Sequence, residues 1–320
     1  MYLVKDFYQE HGRYLELKLV TGQEGLKRPI KKPEVHRPGL SLSGYIKHFP
    51  TFRIIIFGKL EIEYLKELKE VTRKRRLKAI LPPSTPAVMV ARDFAPPKEL
   101  REICSKNNIP LFRTPMPTVG LLSKMFFLLH EHFASSITVH GTLVEVFGMG
   151  VLIQGESSVG KSEAALGLLE RGHRLISDDA VKIKKRGADL IGSGPELTRH
   201  MMEIRGIGII NVAHLYGAVC IRPDIEIDLI VKLEEWDDNH FYDRVGLEEK
   251  YCEFLGISLP FHILPVKPGR DVILLIETIS LNHRLKMLGF NSAKEFNVKL
   301  LETIKRKKRT ISEVNQEHKS

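Results

Sequence analysis

The chain is poor in cysteine and lacks any long apolar run, and each scarcity removes a class of protein. Its 320 residues hold three cysteines, Cys104, Cys220 and Cys252, far apart and in no C-x-x-C pair. An odd number of scattered thiols builds no disulfide framework, so a reducing compartment is expected. The longest apolar stretches, such as Val272 to Ile276, fall far short of a bilayer-spanning segment. The first residues, Met1-Tyr-Leu-Val-Lys-Asp-Phe-Tyr8, contain no apolar signal core. A cytoplasmic protein without membrane association is the expectation. No internal repeat and no low-complexity linker is visible. No nucleic-acid module and no aromatic-rich basic stripe is present either, so nucleic acid is not the expected partner.

What remains is an ordinary globular composition with a positive balance. Hydrophobic residues make up 43% and charged residues 28%, enough for a sizeable core without metal or disulfide staples. The net charge of +10 is partly local, in Arg73-Lys-Arg-Arg76 and Lys305-Arg-Lys-Lys-Arg309. Such runs are usually solvated faces or tails; the remainder suits an acidic or phosphorylated partner.

The most informative stretch is Gly155-Glu156-Ser157-Ser158-Val159-Gly160-Lys161-Ser162. It fits the phosphate-binding pattern G-x-x-x-x-G-K-[ST] at all four fixed positions. Val144 to Gln154 before it reads as a strand, and Ser162 to Gly172 after it as a helix carrying Ala165, Leu168 and Leu169 on one face. Glycines let successive N–H groups face one concavity, and a helix N-terminus adds unsatisfied donors. Lys161 would reach the β- and γ-phosphates of a nucleotide, and the Ser162 hydroxyl would hold Mg²⁺.

Along the chain, strand and helix patterns alternate over residues 1 to about 130. Strands are expected over Tyr14 to Val20, Arg53 to Phe57, Leu77 to Leu81 and Pro110 to Arg113. Helices are expected over Leu40 to Phe49, Leu60 to Val71, Pro97 to Asn107 and Thr118 to Phe133. The alternation predicts a parallel sheet wrapped by helices. No catalytic constellation lies here, and a binding or assembly role is the default. From Ser135 strands dominate: Ile137 to His140, Thr142 to Phe147, the alternating Ile225 to Leu233, and Val272 to Ile276 as a buried strand. Ser292 to Glu295 is a candidate capping box for a last helix through Ile304, and the polar end from Thr310 is expected to fray.

Several side chains group around the loop in sequence order. Asp178 and Asp179 sit at a strand tip just after the loop's helix. One carboxylate can serve a metal while the other takes a proton from a hydroxyl nucleophile. Glu203-Ile-Arg-Gly-Ile-Gly-Ile-Ile-Asn211 sets a carboxylate and a guanidinium before two glycines. His140 lies alone at a strand end. Tyr242-Asp-Arg244 and Lys267-Pro-Gly-Arg270 are basic loops able to receive phosphate.

Taken together, these stretches resemble the HPr kinase/phosphorylase family, whose members phosphorylate and dephosphorylate a serine of the phosphocarrier protein HPr. The match is carried by His140-Gly141, Gly155 to Ser162, Ser177-Asp-Asp179, Glu203 to Val212, Tyr242-Asp-Arg244 and Pro265-Val266-Lys267-Pro268-Gly269-Arg270, in the family's order over about 130 residues. Glu-Ile-Arg-Gly-x-Gly-Ile-Ile-Asn is far more specific than the phosphate loop. Met202 and Asp271 stand where the family usually has leucine and asparagine; the N-terminal half matches only in layout.

The resemblance implies an α/β protein: an N-terminal α/β domain with a mainly parallel sheet over 1–130, and a C-terminal P-loop-containing kinase domain of mixed sheet and helices over 131–310, then a polar tail over 311–320. It implies that Gly155 to Ser162 bind ATP or pyrophosphate and that Lys161 stabilises the transferring group. Ser162 and Glu203 would bind Mg²⁺, and the Asp178/Asp179 pair would supply the general base. His140 and Arg244 would support the transferring group and the aspartate, and Pro265 to Arg270 would serve dephosphorylation by inorganic phosphate, with pyrophosphate as product. It further implies a homohexamer responsive to sugar phosphates such as fructose 1,6-bisphosphate, acting in the control of carbon metabolism. A small-molecule kinase on a related scaffold would need extra arginines and metal-ligating histidines, which the sequence does not offer. A non-catalytic polyanion-binding module would show strongly salt-dependent binding and no phosphoryl transfer.

Overall fold

The computed structural model describes the backbone of residues 1–240, 242 and 247–317, and side chains of these through 305. The chain divides into two compact units, Met1–Ala134 and Ser135–Ser320.

The first unit runs α1 (Val4–His11), β1 (Lys18–Thr21), β2 (Val35–His36), α2 (Gly39–Ser43), β3 (Ile54–Phe57), α3 (Lys59–Glu67), α4 (Glu70–Ile80), β4 (Val88–Val90), α5 (Lys98–Lys106), β5 (Leu111–Arg113) and α6 (Thr118–Phe133). Its sheet has the order β1-β5-β4-β3-β2, with β2 to β5 parallel and β1 antiparallel to β5. A parallel sheet is covered on both faces, which is why β3 is buried at every position. Ile54, Ile56, Met89 and Phe112 pack towards one core with Phe7, Leu121 and Met125. Ile55, Phe57, Val88, Val90 and Leu111 point the other way, onto Leu65, Leu77, Ile80 and Leu100.

Four expectations for this unit need correction. The helix expected over Leu40 to Phe49 is the short α2, which ends at Ser43 before a left-handed Gly44. The strand expected over Tyr14 to Val20 begins only at Lys18. Leu15 and Leu17 are buried, which produces the alternation, but their N–H groups bond back to His11 and Gly12 in a turn. Leu77 to Leu81 is the end of α4 rather than a strand; Leu77 and Ile80, one turn apart, are its two buried residues. The helix expected over Leu60 to Val71 is split, because Leu68 and Lys69 are extended. Two parallel strands were not expected, β2 and β4; at two and three residues they leave no periodicity to read.

The second unit runs β6 (Ser136–His140), β7 (Thr142–Val146), β8 (Met149–Gln154), α7 (Lys161–Glu170), β9 (Arg174–Ser177), β10 (Ala180–Arg186), β11 (Asp189–Ser193), β12 (Met201–Ile204), β13 (Gly208–Asn211), α8 (Val212–Tyr216), β14 (Asp224–Glu235), β15 (Lys250–Phe254), β16 (Ile257–Val266), α9 (Val272–Met287) and α10 (Ser292–Glu317). A mixed nine-stranded sheet has the path β6-β10-β11-β14-β8-β7-β9, with β16 beside β14 and β15 beside β16. Strands β8, β14 and β16 are mutually parallel, with Gln154 opposite Lys232 and Val266 opposite Glu235. Their carboxyl ends therefore emerge on one edge. In open α/β sheets that edge is where ligands bind. Helices α7 and α9 cover one face through Ala165, Leu168, Leu169 and Ile276. The segment Glu203 to Asn211 forms a separate hairpin, β12–β13, whose Ile207 and Ile209 are exposed.

Here too some expectations fail. Val144 to Gln154 is a hairpin, β7–β8, rather than one strand. Phe147 and Gly148 turn it with φ of 51° and 84°, the two-residue left-handed turn that suits antiparallel strands. Val272 to Ile276 is the first part of α9. The Asp271 carboxylate caps it by accepting from the Leu274 N–H at 2.9 Å, and Ile276 and Ser280, one turn apart, are buried. The cap of α10 is Asn291, whose Oδ1 accepts from the Lys294 N–H at 3.1 Å, in place of a box from Ser292 to Glu295. The last helix, expected through Ile304 with a frayed end from Thr310, continues to Glu317. Side chains beyond 305, including most of the basic run, lie outside the described residues. No helix among them is long and apolar enough to cross a membrane.

Candidate active site

The phosphate loop joins β8 to α7 at the carboxyl edge of the parallel strands. Gly155 has φ 147°, and a Cβ there would meet the Leu233 carbonyl oxygen at 2.4 Å, so only glycine fits against β14. Ser158 and Gly160 are left-handed at 79° and 97°. These conformations bend Gly155 to Ser162 into the strand–loop–helix form. Lys161 is buried, and its ammonium donates to the carbonyls of Gly155 at 3.0 Å and Glu156 at 2.8 Å. The amine is thereby held on the floor of the loop at the N-terminus of α7.

The two adjacent aspartates, left as an undivided pair by the sequence, have different surroundings. Asp178 is 4% exposed. Its carboxylate accepts from Ser162 Oγ at 2.9 and 3.1 Å, from Thr142 Oγ1 at 2.6 Å and from the Glu203 N–H at 3.3 Å. A buried carboxylate needs such donors to offset its lost hydration. Asp179 follows in the left-handed region, φ 67°, which turns its side chain out of the sheet; it is 73% exposed. Its Oδ1 lies 3.0 Å from Nδ1 of His140, because Ala180 pairs with His140 in the β6–β10 ladder.

These contacts gather His140, Lys161, Ser162, Asp178, Asp179 and the backbone of Glu203 at one sheet edge. The Glu203 side chain is exposed, next to the Asp178 contact made by its own N–H. The donor set fits Mg²⁺. It offers a hydroxyl and a carboxylate, hard oxygen ligands, and this ion typically takes one or two carboxylates plus substrate phosphates rather than an all-protein cage.

Pro265 to Arg270 leaves the same edge from β16. Arg270 Nη1 donates to the Pro265 carbonyl at 3.0 Å and closes the loop on itself. Among the described residues no hydrogen bond ties this loop to Asp178, Asp179 or Lys161. Arg244 and Asp243 lie outside the described residues. Tyr242 is described; its hydroxyl accepts from the Asp237 N–H at 3.2 Å.

Two residues at this edge escaped the sequence reading. Thr142 starts β7 two residues after His140, on a strand buried on both faces. Trp236, the single tryptophan, directly follows β14 where that strand reaches the ligand edge.

Both units are similar to known proteins. Residues 3–129 match the model of the HPr Serine kinase N terminus, and residues 131–300 that of the HPr Serine kinase C-terminal domain. The HPr kinase/phosphorylase of Bacillus licheniformis is 43% identical over 90% of this chain and 94% of its own length. That of Bacillus subtilis is 40% identical over 90% of this chain and 93% of its own. The solved structure of the Hpr(Ser) kinase/phosphatase from Coxiella burnetii is 38% identical, covering 50% of this chain and 98% of its own, with a TM-score of 0.46. The mixed α/β fold and the relatives' identity over nearly the whole chain define a kinase/phosphorylase enzyme. The chain belongs to the HPr kinase/phosphorylase family.

Proposed function

We propose that the chain transfers a phosphoryl group from ATP, and from pyrophosphate, to a serine of the phosphocarrier protein HPr, and removes it again with inorganic phosphate. The observation that carries this reading is the division of labour between the aspartates. Asp178 is buried against Ser162, and Asp179 stands exposed against His140.

A serine hydroxyl is too weak an acid to attack unaided, so a positioned base must take its proton. Asp179 is that base. In the forward direction the serine Oγ attacks the terminal phosphorus, the bond from that phosphorus to the bridging oxygen breaks, and the serine proton passes to the Asp179 carboxylate. His140 orients that carboxylate. Lys161 and the loop N–H groups hold the phosphate chain and disperse its charge. Ser162 and Asp178, with Glu203 beside them, hold Mg²⁺. When bound, the ion neutralises charge on the bridging phosphates.

In the reverse direction an oxygen of inorganic phosphate attacks the phosphoserine phosphorus. A P–O–P bond forms, the P–Oγ bond breaks, and protonated Asp179 returns its proton to the serine. Microscopic reversibility requires the same group to serve both ways, and one diphosphate-sized cradle serves both. Arg244 assists the transferring group, and Pro265 to Arg270 serve the phosphorolytic direction. A cytoplasmic homohexamer under the control of fructose 1,6-bisphosphate, regulating sugar uptake, completes the reading; only the family resemblance supports these last points.

The test combines purified protein, HPr and labelled ATP, then adds inorganic phosphate. Label is expected on a serine of HPr, then in pyrophosphate. Label that stays on HPr after phosphate is added would remove the phosphorolytic half; no label on HPr at all would remove the whole reading.

A further inference from the structure

The loop after β16 carries two cations that share one aromatic ring. Trp236 lies at the end of β14, and its N–H donates to the Val266 carbonyl at 2.9 Å, which continues the β14–β16 pairing by one step. The indole is fixed at its other end, where Nε1 donates to Asp238 Oδ1 at 2.8 Å. Tyr242 packs beside it with ring centroids 5.0 Å apart. Over this ring sit the Lys267 ammonium at 4.9 Å and the Arg270 guanidinium at 5.8 Å, both within the cation–π range of about 6 Å. No carboxylate among the described residues pairs with either cation. Two like charges held on one platform repel each other, and a dianion between them removes that repulsion.

We propose that Trp236 is a positioning residue that holds Lys267 and Arg270 as a paired anion subsite, and that the anion it receives is inorganic phosphate, captured there before it enters the loop cradle from which it attacks. The inference rests on the reading of Pro265 to Arg270 as the phosphorolysis loop. Trp236 touches no reacting atom. It acts through the two cations: Lys267 is exposed and has the ring as its contact, while Arg270, already tied to the Pro265 carbonyl, is oriented by the ring at its other side. The subsite lies at the same sheet edge as the phosphate loop, which leads from the neighbouring parallel strand β8.

The test uses the full chain. Trp236→Leu should raise the KM for inorganic phosphate about five- to tenfold, the loss of two exposed cation–π contacts, and move the KM for ATP much less. Trp236→Phe, which keeps a weaker ring, should fall in between. In a Lys267→Met/Arg270→Met background, Trp236→Leu should add nothing, because the cations it holds are gone; a merely structural tryptophan would cost the same in both backgrounds. Equal shifts in the two KM values, or full additivity with the double variant, would overturn the proposal. A second readout needs no turnover. With one tryptophan in the chain, its emission should change saturably with inorganic phosphate and not with potassium chloride at equal ionic strength; identical responses to the two salts would also overturn it. If wild-type protein forms no pyrophosphate, the phosphorolysis reading fails by itself, and the emission titration still decides whether the subsite binds phosphate.

Discussion

The two units place polar side chains beside parallel strands to opposite ends. In residues 1–134 they tie the backbone to itself. Arg28 donates to the carbonyls of Pro83, Thr85, Asn107 and Asn108, and Thr114 Oγ1 to that of Leu15. Glu61 accepts from Arg37 and from the Gly58 N–H. In residues 135–305 the polar groups at the ligand edge bond mainly to one another: Ser162 and Thr142 to Asp178, His140 to Asp179. Arg28 commits four of its five N–H donors to carbonyls of its own unit. A side chain held by another side chain beside a glycine loop keeps capacity for a ligand.

Substitutions can break this contrast, and the largest effect belongs to the second unit. Asp179→Asn keeps a residue tolerant of positive φ, so the turn survives while the base is lost. Transfer and phosphorolysis should both fall about 10²- to 10⁴-fold, with nucleotide binding and thermal midpoint unchanged. Steady-state assays beside calorimetry check this, and retained turnover would exclude Asp179 as proton carrier. Arg28→Ala should do the reverse. It frees four carbonyls, partly open to water, and should cost about 2 kcal/mol in denaturant unfolding while leaving the specific activity of folded protein intact. A stability loss near zero would show that Arg28 is dispensable to the first unit. Arg270→Ala sharpens the contrast within the second unit. Phosphorolysis should drop about tenfold and the kinase direction by less; equal losses would deny the loop a separate role.

The smallest effect is one of pH. Burial, reinforced by Lys286, holds His262 below the ordinary histidine value of 6.5; burial also lowers His283, against the pull of Asp228. The unfolded chain then takes up protons before the folded one, so their contribution is fully present above 6.5 and lost as pH falls towards the folded values. Asp228 has the opposite sign: burial raises it, so the folded state gains from its protonation only at lower pH. The thermal midpoint should therefore fall between about pH 7.5 and about pH 5.5, and His262→Gln should flatten the decline. A midpoint already flat in the unsubstituted protein would contradict two half-buried imidazoles held below the ordinary value.

Much of this was legible in the sequence, for identifiable reasons. The phosphate loop is written in residue types that no other local geometry requires together. Helix α6, from Thr118 to Phe133, has sixteen residues and a strong apolar stripe, and its bounds are those the sequence predicts. Short elements failed. Leu77 to Leu81 and Val272 to Ile276 are apolar runs of five, too short for periodicity to separate strand from helix. What decided them was a buried pair one turn apart in α4, and in α9 a capping carboxylate at Asp271 that reads equally well as a loop residue. The distinction between Asp178 and Asp179 was invisible because burial is a property of the folded sheet. Thr142 was missed because a lone threonine at a strand start carries no signature.

Under the role proposed for Asp179, its left-handed turn ties a chemical requirement to a conformational one. Residues with a bulky or branched Cβ resist that dihedral, while aspartate, asparagine and glycine accept it. Of these three only aspartate can exchange a proton, so the alphabet at this position shrinks to a single letter. Anyone retuning the enzyme for a new acceptor would have to leave this corner alone and reshape the walls around it.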